Sequence, residues 1–382
     1  GRIYPGFRRR FWRVFDREQY QGVTVYRAWL YPAANRGIVR RSANYVSFCL
    51  SAAVRGYLLD FKPEVVIGTS PQLLCAQAAG FIARHYGARF VFEVRDLWPE
   101  SLVAVNACSP DSRLYRALDR LTQNLYRRAS RIVVVTDEFR RRLVERGVDP
   151  ARIAVIQNGV DAEMFRPGVT PASSAELAGL AGKFTVSYIG TLGMAHSVST
   201  ILRAAELLRA RDDIHFLIVG NGAERENLLR ERRKRRLDNV TFLGQQPWSA
   251  IPSYLALSGA CVVHLARSPL FETVLPSKMF EIMAAARPLI LGVRGEAARL
   301  LHEAQCGLAC KPESPEQMRD AITQLAADPD LCRRLGQNGR DYVVRHASFQ
   351  QRATEYIEAL QPAVNAEPVP ADAARSSRRL LV

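Results

Sequence analysis

Short apolar runs alternate with longer amphipathic ones along most of the chain. In the first half, PEVVIGTSP, ARFVFEVRD, RIVVVTDEF and RIAVIQNGVD each hold a brief, nearly continuous apolar stretch that ends in a turn. That is the pattern of strands buried on both faces of a parallel sheet. Helical periodicity lies between them at about 38–59, 71–86 and 112–127, and a further helix follows the N-cap residue Thr136. VTVYRAWLY (23–31) predicts one more strand. The alternation restarts with FTVSYIG (184–190), IHFLIVGNG (214–222), NVTFLG (239–244), ACVVHLA (260–266) and PLILGV (288–293). Three helical stretches follow Pro312, the last at 348–360 behind a Ser348 cap. The two series predict an α/β protein of two Rossmann-like domains with a cleft between them, and ligand loops beyond the carboxyl ends of the strands.

The expected bounds are 1–165 for the first domain, 166–182 for a linker rich in Pro, Ser and Gly, and 183–345 for the second domain. Residues 346–361 form a helix that packs back toward the first domain, and 362–382 form a disordered tail. The 382 residues are 48% hydrophobic and 24% charged, which suits two globular cores.

Charge changes this picture at one end. The chain carries a net +16, and residues 1–55 alone hold eleven Arg against two acids. Such an end suits an anionic partner: a membrane surface, a phosphorylated lipid or a nucleic acid. Arg8, Arg9, Arg10 and Arg13 interleave with Phe7, Phe11 and Trp12, and Arg36, Arg40 and Arg41 lead into the apolar face of helix 38–59. This is either an interfacial segment or a loop with solvated arginines. The basic run RERRKRR (230–236) reads as a solvated helix end, and no nucleic-acid-binding signature accompanies it. Seven Cys without a CxxC pair read as buried thiols in a reducing compartment. His302, Cys306 and Cys310 have helix-like spacing but no evident fourth ligand, so no metal site is expected. No segment is long and clean enough to span a bilayer.

Three loops after strands carry candidate chemistry. Gly190-Thr191-Leu192-Gly193 leads into a helix and offers backbone N–H groups to a phosphate; His196 either faces the same anion or is a capping residue. Gly220 and Gly222 either admit a base or ribose closely or form a plain turn. In FETVLPSKMFEIMAAARPLI (271–290), Ser277 and Lys278 open a helix and Glu281 sits among apolar residues. A lysine there is opposed by the helix dipole unless a diphosphate lies beside it. A carboxylate flanked by apolar residues needs donors, which the two hydroxyls of a ribose supply. The stretch therefore reads as a nucleotide-diphosphate clamp, or else as the exposed side of an amphipathic helix.

Several motifs occur in one order: VTDEFRRRLVERGVDPARIAVIQNGVDAEMFRP (135–167), YIGTLGMAHSVSTILRAAELL (188–208), FLIVGNGAERENLL (216–229), VTFLGQQPWSAIPSYLALSGACVV (240–263) and the 271–290 stretch. In that order they resemble bacterial glycosyltransferases of family 4, which have the two-domain GT-B fold. The resemblance runs from about residue 4 to 360. FEVRDLWPES (92–101), GTLGMAH (190–196) and LPSKMFEIMA (275–284) are most similar to transferases of N-acetyl-fucosamine-type sugars in O-antigen and capsule synthesis.

The resemblance implies retaining transfer from a nucleotide sugar, here a UDP-sugar, without a bound metal or other cofactor. It implies a polyprenyl-diphosphate-linked acceptor and a cytoplasmic enzyme held peripherally at the inner face of the membrane, with no nucleic-acid partner. The family motif Glu, seven residues, Glu puts its ribose-binding Glu on Glu281 and its first Glu on Thr273, with Glu272 one place early. A phosphate-binding Arg and Lys of the family fall on Thr191 and His196, so Lys278 is expected to take over some of the charge. A cleft His-Asp pair falls on Arg95 and Asp96, which makes Asp96 a candidate contact to donor sugar or acceptor hydroxyl; its other reading is a cap for the Trp98-Pro99 turn. The family's first strand and glycine-rich loop are expected to be missing ahead of GRIYPGF. The rival expectations are a sugar-nucleotide epimerase and a non-catalytic scaffold of the same fold.

Overall fold

The computed structural model of the protein describes residues 15–32, 38–105 and 107–365. The expected strand–helix alternation is present in each of two units. The first unit takes the chain to Leu102, then Cys108–Ile156, and again from Glu355; the second takes Val103–Ala107 and Gln157–Thr354.

In the first unit, β1 (Phe15–Tyr20) and β2 (Val23–Ala28) form an antiparallel hairpin outside the main sheet. Their two-residue turn, Gln21-Gly22, has φ of 48° and 81°, the left-handed geometry that matches strand twist in tight hairpins. The strand expected at 23–31 therefore ends at Ala28 and pairs with FDREQY, whose polar composition hid it. Helix α1 (Ile38–Tyr57) precedes β3 (Val65–Thr69), α2 (Leu73–Tyr86) and β4 (Arg89–Val94). After them come α3 (Glu100–Ala104), α4 (Arg113–Arg128), β5 (Arg131–Val134), α5 (Asp137–Glu145) and β6 (Ile153–Val155). Thr136 caps α5 by accepting the Phe139 amide, as Ser112 caps α4 by accepting that of Tyr115. The sheet is parallel in the order β3-β4-β5-β6, with Val91 and Val133 fully buried at its centre.

The second unit holds six parallel strands: β7 (Phe184–Ile189), β8 (Ile214–Val219), β9 (Val240–Leu243), β10 (Ala260–His264), β11 (Leu289–Gly292) and β12 (Gly307–Ala309). Their helices are α6 (Ser199–Leu207), α7 (Arg225–Arg235), α8 (Ile251–Ala256), α9 (Lys278–Ala284), α10 (Glu296–Ala304), α11 (Pro315–Ala327) and α12 (Pro329–His346). The sheet order β12-β11-β10-β7-β8-β9 is the doubly wound arrangement, in which chain direction across the sheet reverses between β7 and β10. The crevice beyond the carboxyl ends of those two strands is where such sheets bind ligands.

The segment expected as a linker belongs to this unit. Phe165 is fully buried, and Leu177 and Leu180 pack with Leu217, Val219 and Leu243. These apolar anchors outweigh the Pro, Ser and Gly around them, so the boundary falls at Ile156, ahead of the expected 165. The last helix, α13 (Phe349–Asn365), runs through residues 362–365, which were expected in the tail; the rest of that tail lies outside the described residues. From Glu355 onward α13 belongs to the first unit, where the Tyr356 hydroxyl donates to the Glu93 carboxylate and Arg131 Nε donates to the Ala359 carbonyl at 3.1 Å. Arg36 and the arginines at 8–13 also lie outside the described residues, as does the Arg41 side chain. Among the described residues no helix is long and apolar enough to cross a membrane.

Candidate functional site

The switch point of the second unit gathers the 190–196 loop and α9. Leaving β7, Gly190 turns with φ of 146°, and Tyr188 just before it is fully buried. The Tyr188 hydroxyl donates to the Thr191 carbonyl at 2.8 Å and accepts from Lys278 Nζ at 3.1 Å. The ammonium also lies 4.2 Å from the centre of the Tyr188 ring, a cation–π contact. A methyl group on Gly190 would stand 2.7 Å from Lys278 Nζ, so the absent side chain leaves room for the ammonium at the loop.

Burial pushes Lys278 down to about 8, while Glu281 one turn on pulls it back up. At neutral pH the group is still mostly charged. An ammonium has three donors, and Tyr188 is its one hydrogen-bond partner among the described residues. A partly desolvated cation with spare donors is costly until an anion arrives. Glu281 is half-buried; burial raises its pKa, opposed by a hydrogen bond from Trp248 Nε1 (3.3 Å to Oε1) and by Lys278. Ser277 is exposed at the start of α9 and makes no side-chain cap bond.

Other expected residues have different roles. His196 is lowered to about 4 by burial and then by Lys278, so it is neutral at physiological pH and cannot replace a phosphate-binding cation. Its carbonyl accepts from His264 Nδ1 at 2.9 Å, while His264 Nε2 accepts the Glu313 amide at 2.9 Å. Those two bonds fix a neutral His264 that ties the loop after β7 to the loop after β12. Gly193 is extended, with φ of −111°, and opens a short 3-10 turn, Met194–His196, instead of leading straight into a helix.

The glycine pair after β8 serves packing. A methyl group on Gly220 would meet the Gly190 carbonyl oxygen at 1.9 Å, and one on Gly222 would meet that of Leu192 at 2.3 Å. The Leu192 amide donates to the Asn221 carbonyl at 2.9 Å, and the Glu224 amide to the Leu192 carbonyl at 2.9 Å. Gly220 and Gly222 thus let two loops touch backbone to backbone.

Beyond β10 and β11 lies a cavity of about 190 Å³ lined by Arg267, Ser268, Phe271, Glu272 and Arg294, among others. Thr273 is buried beneath it, and its hydroxyl donates to the Leu270 carbonyl at 2.7 Å. The 3-10 turn Phe271–Thr273 instead presents Glu272 to the cavity, so the acid one place early in the motif is the one exposed there. Trp248 and Arg267 were missed in the sequence because neither stands next to a glycine in the chain. The signal for Trp248 was a large aromatic directly after Pro247, in the loop that follows a strand.

In the first unit, Arg95 and Asp96 follow β4. The buried Ser70 hydroxyl accepts the amides of Arg95 (2.9 Å) and Asp96 (3.3 Å), which holds this turn beside the end of β3. Burial pushes the Asp96 carboxyl up to about 6, with Arg95 lowering it in part. Asp96 is thus a half-buried acid with a near-neutral pKa. Arg40 is exposed on α1. His302, Cys306 and Cys310 do not share a helix, because Gln305 adopts a left-handed conformation that ends α10. All seven Cys are unpaired thiols. Among the described residues no three His, Cys, Asp or Glu side chains stand close enough to hold a metal ion.

Comparison with known proteins bears on the fold and the class of the chain. Residues 172–342 match the family of glycosyl transferases group 1, and residues 4–159 match the glycosyl transferase 4-like domain. The probable glycosyltransferase WbjE of Pseudomonas aeruginosa is 26% identical over 77% of this chain and 71% of its own. The putative colanic acid biosynthesis glycosyl transferase WcaI of Escherichia coli is 23% identical over 83% and 79%. Among solved structures, sucrose-phosphate synthase from Thermosynechococcus elongatus superposes with a TM-score of 0.72 at 19% identity, covering 92% of this chain and 86% of that one. Anabaena HepE in complex with UDP-glucose superposes with a TM-score of 0.66 at 15% identity, covering 85% and 84%. The fold is that of the GT-B glycosyltransferases. The chain carries a glycosyl transferases group 1 domain and a glycosyl transferase 4-like domain, and it is a glycosyltransferase.

Proposed function

We propose that the protein transfers a sugar from a UDP-sugar to a polyprenyl-diphosphate-linked acceptor during surface polysaccharide synthesis. The observation that carries the donor half is the Lys278 ammonium, lodged against Gly190 at the switch point with one hydrogen-bond partner among the described residues. A diphosphate placed there would take its remaining donors and the N–H groups of the 190–193 loop, and would leave with its charge stabilised. Glu281 would accept the ribose hydroxyls, and the cavity beside Glu272 would take the sugar. The sugar we favour is an N-acetylated deoxyhexosamine, from the motif resemblance at 92–101, 190–196 and 275–284. HepE bound to UDP-glucose and the colanic acid assignment of WcaI support the donor class and the setting.

Transfer is proposed to retain the anomeric configuration, with the leaving phosphate taking the acceptor proton on the same face of the sugar. Asp96 would orient the acceptor hydroxyl or the donor sugar. No metal or further cofactor enters the proposal. The acceptor half draws on the first unit. Val46, Leu50 and Val54 line an exposed apolar stripe on α1 near exposed Arg40, which fits an anionic membrane surface and a peripheral location at its cytoplasmic face.

The test is thermal stabilisation by UDP, with ADP and GDP as comparators and Glu281→Ala as control. Stabilisation by UDP that disappears in the variant supports the donor reading. A folded chain that responds to no nucleotide overturns it in favour of a non-catalytic scaffold. Isomerisation of a nucleotide sugar without acceptor would identify an epimerase instead.

A further inference from the structure

We propose that Trp248 is the platform on which the base of the bound nucleotide stacks, a role that rests on the donor reading above. Trp248 opens the 3-10 turn Trp248–Ala250 in the loop after β9, at the carboxyl end of the sheet. Its side chain is 52% exposed, yet it is anchored twice. The ring packs edge-on against the fully buried Phe165, with centroids 5.5 Å apart and planes inclined by 60°. The indole N–H donates to Glu281 Oε1 at 3.3 Å.

These two contacts fix the orientation of the ring and leave much of its surface in water. An exposed indole forgoes burial that a turn residue could otherwise gain, and a tryptophan N–H ordinarily finds its partner as the ring is buried. Here the N–H is bonded to the one acid that the sequence placed for a ribose. With Oε1 held by the indole, Oε2 remains for sugar hydroxyls, and the base attached to that sugar lies within reach of the indole. Base–aromatic stacking depends on a π face and is tolerant of base identity. The platform therefore favours a nucleotide over bare diphosphate without choosing among bases.

The experiment is calorimetric titration of UDP and of inorganic pyrophosphate into the full chain and its Trp248→Ala, Trp248→Phe and Glu281→Ala variants. Loss of stacking is expected to weaken UDP at least about fivefold in Trp248→Ala, while pyrophosphate binds as in the parent and Trp248→Phe keeps most of the affinity. Parent-like UDP affinity in Trp248→Ala overturns the platform whatever Glu281 does. Equal losses in Trp248→Phe and Trp248→Ala also overturn it, since the indole N–H and not the ring face would then be the active part. Loss of UDP in Trp248→Ala with no change in Glu281→Ala would support the platform and remove the ribose role of Glu281.

Discussion

The ammonium nitrogen of Lys278 stands 3.1 Å from the Tyr188 hydroxyl and 4.2 Å from the centre of its ring. The two residues lie far apart in sequence, and the contact pins α9 to the end of β7. It also places a partly desolvated cation where a ligand is expected, at a cost to the empty protein.

That cost can be measured. Lys278 has a folded pKa of about 8 against an ordinary value of 10.5. Its unfavourable contribution is full below about pH 8 and vanishes as pH rises past the unfolded value. Lys278→Met is therefore expected to stabilise the empty protein at pH 7 by about 1–3 kcal/mol, less whatever the Tyr188 contacts contribute. Calorimetric unfolding at pH 7 and pH 10 checks this, with the gain shrinking at the higher pH.

The same group sets a pH dependence for binding. A bound diphosphate raises the Lys278 pKa, so UDP affinity is expected to be flat below about pH 7 and to fall as pH rises through about 8. In Lys278→Met the affinity should be low and this limb absent. Titration of UDP across pH 6 to pH 10 reads both.

The two glycine positions near the switch point should differ sharply in their tolerance of a side chain. Gly220→Ala forces a methyl group within 1.9 Å of the Gly190 carbonyl oxygen at φ of 145° and is expected to cost about 3 kcal/mol or more. Gly193→Ala meets only ordinary contacts, the nearest at 3.6 Å, and is expected to change stability by less than about 1 kcal/mol. Urea unfolding of both variants separates the glycine that packs from the one left open for a ligand.

Asp96 gives a prediction on turnover. With its carboxyl at about 6, activity that needs the carboxylate should fall as pH drops below 6, and Asp96→Asn should remove both the activity and that limb. Because its folded pKa is raised, the group favours the fold when protonated, and this contribution is lost as pH rises through about 6. Asp96→Asn should therefore be at least as stable as the parent at pH 7. A pH–rate profile paired with thermal unfolding distinguishes a lost chemical group from a damaged fold.

The exposed stripe on α1 gives the last. Leu50 is 61% exposed, so Leu50→Glu should leave stability within about 0.5 kcal/mol. If the stripe meets a membrane, the same change should lower sedimentation with anionic vesicles and leave UDP binding intact. Unchanged vesicle binding would remove α1 from the acceptor side.

Much of this was legible in the sequence because burial of one face writes a local period. Continuous apolar runs marked the parallel strands, Thr136 and Ser348 marked helix starts, and the Lys278–Glu281 spacing marked one turn of α9. The FDREQY strand escaped because a hairpin outside the main sheet needs little apolar character. The 166–182 segment was misjudged because its composition is that of a linker, while two apolar residues, Leu177 and Leu180, hold it to the second unit.

By itself, then, the sequence determined two strand–helix series, the glycine loops at strand ends and the chemistry available on α9. Only the tertiary structure decided that Lys278 meets Tyr188, that Trp248 meets Glu281, that Gly220 serves Gly190, and that Glu272 instead of Thr273 faces the cavity. The reason is physical. Periodicity reports what each residue does within its own element, whereas these pairings are set by the strand order β12-β11-β10-β7-β8-β9, which brings loops distant in the chain to one edge of one sheet.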